Sequence, residues 1–139
     1  MTVLLDAFAL IALLAEEPAA DEVEAILRRG EAAITAINLA EALDVLQRVQ
    51  DVPRERLDAV TVPLIQESVA LVSVDEQLAR DAADIRARHY HRTRAPLSLA
   101  DCVLIAAAKS AEALATADGP LMRVARDEGL KVRELRRAT

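Results

Sequence analysis

Four acidic residues far apart along the 139-residue chain, Asp6, Glu41, Asp101 and Asp118, have the type and setting to act together if a fold gathers them. Asp6 closes the apolar run Val-Leu-Leu and opens Ala-Phe-Ala-Leu-Ile. Glu41 ends Asn-Leu-Ala-Glu, Asp101 ends Ser-Leu-Ala-Asp, and Asp118 ends Ala-Thr-Ala-Asp ahead of Gly119-Pro120. Carboxylates that converge within roughly 4–6 Å repel one another, so some must hold protons or a cation must neutralise them. Hard oxygen donors without His or Cys suit Mg²⁺ or Mn²⁺ rather than zinc.

Each acid also has a purely structural explanation. Asp6 and Asp118 are placed to cap helices, and Asn38…Glu41 and Ser98…Asp101 both fit capping boxes. Asp75 follows Val72–Val74 at another strand end, and sequence alone does not separate it from the set. Asp44, Glu24 and Glu112 fit solvated helix faces or turns.

The elements that must position these residues alternate in type. Short β-like runs at Val3–Leu5, Ala33–Thr35, Leu71–Val74, Ala113–Thr116 and Lys131–Arg133 predict strands. Helical patterns cover Ala7–Leu14, Asp21–Arg29, Leu39–Gln50, Arg54–Gln66, Glu76–Arg88, Leu99–Ser110 and Pro120–Glu128. Gly30 and Gly129 stand where helices stop, and Pro53 and Pro96 mark breaks before new ones. This rhythm predicts an α/β fold. Right-handed crossovers put helices on both faces of a parallel sheet, and ligands then collect at the carboxyl edge of the strands. Helix N-termini at that edge offer free N–H groups and positive dipole ends.

Composition limits the partners. The formal net charge of −6 opposes a polyanionic ligand unless acids surround a cation and bases lie elsewhere. Phe8 and Tyr90 are the only aromatics, which argues against modules that bind bases on aromatic platforms. The densest basic stretch holds Arg86, Arg88, His89, His91, Arg92 and Arg94 around Tyr90. Arg86, Arg88, Arg92 and Arg94 are candidate RNA contacts, with a cationic helix end as the competing reading. The two histidines have no acid near them in sequence, and the tail Lys131, Arg133, Arg136 and Arg137 reads as solvated surface. The single cysteine, Cys102, excludes an internal disulfide and reads as a small buried residue. A cytoplasmic protein is expected. The apolar opening Val3–Ala15 is interrupted by Asp6 and too short to span a bilayer, so no membrane partner is expected.

Taken in order, the strand-borne Asp6, Asn-Leu-Ala-Glu, Ser-Leu-Ala-Asp and Ala-Thr-Ala-Asp resemble the motifs of PIN domains over nearly the whole chain. The stretch Ser98–Asp118 is similar to VapC-type toxins of bacterial toxin–antitoxin pairs. The resemblance implies a single PIN domain over residues 1–139. Its fold would be a three-layer α/β/α sandwich with a short parallel five-stranded sheet of order 3-2-1-4-5. The acidic pocket would lie near the crossing between the first and fourth strands, and Asp75 would sit on an edge strand. By the same resemblance Asp6, Glu41, Asp101 and Asp118 hold Mg²⁺, with Mn²⁺ as a substitute, and Thr116 orients a ligand or water. The implied activity is endonucleolytic cleavage of RNA leaving 5′-phosphate and 3′-hydroxyl ends. The implied partners are a second copy of the chain and a cognate VapB-like antitoxin that blocks the pocket. One departure is visible: these toxins often carry Ser or Thr two residues after the first Asp, where this chain has Phe8.

Rival readings fit less of the pattern. An aspartyl phosphatase needs a second acid at the position of Phe8, and a phosphoryl-accepting signalling domain needs a lysine that neither Lys109 nor Lys131 supplies. Two alternatives stay open: a catalytically idle binding or dimerisation module whose acids are only caps, and a PIN nuclease of RNA processing outside any toxin–antitoxin pair.

Overall fold

The computed structural model describes residues 1–137. In chain order its elements are β1 (Val3–Leu5), α1 (Ala7–Leu14), α2 (Ala20–Arg28), β2 (Ala32–Thr35), α3 (Ala36–Arg48) and α4 (Arg54–Glu67). They continue with β3 (Ala70–Val72), α5 (Glu76–His89), α6 (Leu99–Ala108), β4 (Ala113–Thr116), α7 (Gly119–Asp127) and β5 (Lys131–Glu134). All five strands are parallel in the order β3-β2-β1-β4-β5, as the resemblance implied.

The apolar runs explain why β1 is central. Val3, Leu4 and Leu5 are all buried, and the strand pairs on both sides, with Leu4 opposite Ala33 and Leu114. A strand covered on both faces must be apolar at every position rather than at alternate ones. Val3, Leu5, Ile34 and Ala115 pack with α1 and α2, while Leu4, Ala33 and Leu114 pack with α5, α6 and α7. The edge strands β3 and β5 are largely exposed and correspondingly less apolar.

Parallel strands end at one edge, and four of the five run almost directly into helices there. Asp6 caps α1, Thr35 caps α3, Asp75 caps α5 and Asp118 caps α7. Gly30 and Gly129 adopt φ of 69° and 81° after α2 and α7, the left-handed turn that glycine makes without strain.

Two local expectations are corrected. The α3 helix starts at Ala36, three residues before the expected Leu39, because Thr35 at the strand end caps it directly by accepting from Asn38 N–H at 3.1 Å. Asn38 therefore lies inside the helix, and Asn38…Glu41 is not a capping box. The third strand also begins at Ala70 and ends at Val72, earlier than the expected Leu71–Val74.

The far end of the sandwich is tied by charge. Glu128, the C-cap of α7, accepts from Arg88 and His89 of α5 and from Lys109 at the end of α6. Hydrogen bonds from Lys109 and then His89 hold its carboxyl down at about 2. A depressed carboxylate stabilises the fold above its unfolded value near 4.5 and loses that contribution as pH falls toward 2. Glu128→Gln is expected to cost about 1–2 kcal/mol at pH 7, discounted for solvent screening, and progressively less as pH falls below 4. Urea melts at several pH values check this, and a penalty that does not shrink in acid would contradict it.

Candidate active site

The same topology that buries β1 brings Asp6, Glu41, Asp101 and Asp118 to the lining of one cavity of about 190 Å³. Asp6 stands at the end of β1 and Asp118 just past the end of the adjacent β4. Asp101 lies in the first turn of α6, and Glu41 in the second turn of α3. Asp75 caps α5 beyond the edge strand β3, accepts from Leu78 N–H at 2.8 Å, and is not among the residues lining this cavity.

Each of the four acids spends one carboxylate oxygen on the chain. Asp6 Oδ1 accepts from Ala9 N–H at 2.8 Å and Asp118 Oδ1 from Leu121 N–H at 3.0 Å. Asp101 Oδ2 accepts from Ser98 N–H at 3.0 Å in a complete capping box, and Glu41 Oε1 from Asn38 Nδ2 at 2.8 Å. Capping and ligation are thus compatible, because the bond that fixes each side chain uses only one of its two oxygens.

Burial, with mutual repulsion added, disfavours the ionised forms of Asp6, Asp101 and Glu41. Asp6, only 7% exposed, has its carboxyl raised to about 6, first by desolvation and then by the charges of Asp101 and Asp118, against the pull of the Thr116 hydroxyl and Ala9 N–H. Asp101 is raised by burial and by Asp118, and Glu41 by burial and by Asp101. Thr116 is fully buried, and its hydroxyl accepts from Asp118 N–H at 3.1 Å while lying beside Asp6. It therefore links two of the acids and supplies Asp6 with the hydroxyl that Phe8, itself on the cavity wall, does not.

Donor type and charge fit a hard divalent cation: oxygen ligands only, excess negative charge, and an open cavity between them. Among the described residues no three His, Cys, Asp or Glu side chains stand at metal-ligand spacing.

Sequence reasoning missed two polar residues of this site. Asn38 orients Glu41, a role legible from their i, i+3 spacing once the helix start is correctly placed. Arg137 also lines the cavity, donating from Nε to Ala117 O at 2.8 Å. The expectation of a merely solvated tail is corrected for this residue: β5 runs parallel beside β4, so the chain leaving it must pass Asp118.

The basic stretch lies elsewhere. Arg88 pairs with Glu128, and Arg86 donates to Leu97 O at 3.0 Å while stacking on Tyr90 at 4.4 Å from the ring centre. Arg92 and Arg94 are exposed, and none of the four lines the acidic cavity. Cys102 is buried, and desolvation followed by the neighbouring Asp101 pushes its thiol up to about 11, so it is not a nucleophile.

Residues 3–127 match the family model of the PIN domain. The chain belongs to the PIN-domain family. Among solved structures the PIN domain described here is similar to the crystal structure of VapBC2 from Rickettsia felis bound to a DNA fragment from their promoter. That likeness has a TM-score of 0.63 at 14% identity, covering 98% of this chain and 100% of the other. No curated protein sequence matches it.

The raised Asp6 carboxyl gives a prediction with a definite sign. Its fold favours the protonated form, so that stabilisation is complete below the unfolded value of 3.8 and is lost as pH rises through about 6. In metal-free protein, Asp6→Asn is expected to raise stability at pH 7.5 by roughly 2 kcal/mol, with the gain vanishing as pH falls toward 4. Thermal melts in EDTA measure this, and a lower Tm for the variant at pH 7.5 would count against it.

Proposed function

We propose that this PIN domain is a divalent-metal-dependent endoribonuclease of the VapC toxin type. The observation that carries the reading is the one cavity lined by four acids, each tethered to the chain by a hydrogen bond. Family membership supports it, since PIN domains are generally nucleases.

Asp6 and Asp101 would hold the metal directly, with Glu41 and Asp118 holding it directly or through water. A divalent cation bound there supplies a more acidic water and positive charge against the phosphoryl oxygens. The chain's own groups do the rest. Capping bonds and Asn38 keep the four carboxylates from rotating away. Glu41, half-buried and raised above the usual range, is suited to take the proton of the attacking water on its uncommitted oxygen. The N-termini of α1, α6 and α7 lie at the cavity and favour the charge that develops on the phosphate. Attack would form a bond from the water oxygen to phosphorus and break the bond to O3′, which takes a proton from solvent, leaving 5′-phosphate and 3′-hydroxyl ends.

The toxin assignment draws on the similarity to VapBC2 of Rickettsia felis, which was solved bound to a DNA fragment from their promoter. A VapB-like antitoxin for this chain would present a basic side chain to the acidic cavity, and the chain would act in the cytoplasm as a homodimer.

Purified protein is expected to cut single-stranded RNA with Mg²⁺ or Mn²⁺ and to stop in EDTA. Asp101→Asn should lower turnover at least a hundredfold while circular dichroism stays unchanged. Cleavage that persists in EDTA or in the variant would remove the metal mechanism. Failure of the wild type to bind Mn²⁺ by calorimetry would favour an idle binding module.

A further inference from the structure

Among the residues lining the acidic cavity Arg137 is the one cation. Its position is built by the strand pairing: Thr116 of β4 lies opposite Glu134 of β5, and Leu135 N–H donates to Thr116 O at 2.9 Å. The chain then follows the loop that carries Asp118, and Arg137 Nε is fixed on Ala117 O in that loop. One of five guanidinium donors is used in this bond. Among the described residues the terminal nitrogens have no hydrogen-bond acceptor, and no carboxylate lies within 4.0 Å of the guanidinium. The neighbouring Arg136, by contrast, pairs with Glu22.

A guanidinium held by its Nε beside four carboxylates, yet paired with none, is arranged to take an external anion on its outer fork. Planar bidentate contact is the geometry by which arginine recognises phosphate. Resting on the nuclease reading, we infer that Arg137 is a phosphate subsite that grips a phosphodiester of single-stranded RNA at the mouth of the acidic cavity. It supplies local positive charge that the chain as a whole lacks.

The competing role is a staple that only steadies the loop before α7, and the test separates the two. Binding of a fluorescein-labelled single-stranded RNA is measured by anisotropy over a range of salt, with Ca²⁺ replacing Mg²⁺, alongside steady-state cleavage in Mg²⁺. Arg137→Gln should raise Kd and KM about tenfold and lower the salt slope by about 0.7, the loss of one phosphate contact on a single strand. Turnover, Tm and Mn²⁺ affinity should stay near wild type, and Arg137→Lys should recover part of the affinity. Unchanged Kd and slope in Arg137→Gln, while the wild type binds and cleaves RNA, overturns the subsite alone. A parallel loss of Tm or Mn²⁺ affinity that Lys does not repair assigns the staple instead. A wild type that neither binds nor cleaves RNA removes both the subsite and the nuclease reading.

Discussion

Desolvation of carboxylates gathered at one end of a parallel sheet, with their mutual repulsion added to it, is the constraint around which this site is organised. Four acids at the ends of β1 and β4 and in the opening turns of α3 and α6 would separate if their side chains were free to rotate. Each is instead held by a short bond from the chain to one oxygen, and three of those bonds are helix caps that the helices need in any case. The cost of assembling like charges is thereby offset locally, acid by acid, by donors that would otherwise be unsatisfied.

The two ends of the sandwich show what neighbours do to the same functional group. At the amino edge one carboxylate, Glu128, meets Arg88, His89 and Lys109, and its ionised form is strongly favoured. At the carboxyl edge Asp6 meets Asp101 and Asp118 under full burial, and its ionised form is disfavoured. The first arrangement links α5, α6 and α7 and needs nothing further. The second leaves negative charge that either protonation or an external cation would neutralise.

Much of this was legible in the sequence because its signals are local. Apolar runs, Gly30 and Gly129, Pro53, and Ser98 three residues before Asp101 mark elements through rules that act over a few residues. The strand order and the convergence of the acids came through motif resemblance, since spacing along a chain does not state which strands neighbour which. What escaped depended on longer range. Thr35 reads equally as a strand residue or a cap, and only its backbone placement decides where α3 begins. Arg137 lies 19 residues past Asp118, and its place at the cavity follows from the pairing of β5 beside β4, which no local pattern encodes. The basic stretch misled in the opposite direction: Arg88 and His89 are dense in charge but spent on Glu128, 40 and 39 residues away.

The overall charge of −6 and a polyanionic substrate are reconciled by scale. Beyond a Debye length, about 8 Å at physiological salt, the summed charge is screened, so approach of a strand is decided by what lies at the mouth of the site. On the nuclease reading that mouth combines a cation held by four acids, the N-termini of three helices and the outer face of Arg137. The acids are then part of the attraction rather than an obstacle to it, because their surplus negative charge is what retains the cation. Removing one acid lightens the local negative charge yet weakens the hold on the ion, so the two effects oppose each other. An acidic chain can accept RNA in this way only where its carboxylates remain together, and the caps at the ends of β1 and β4 keep them there.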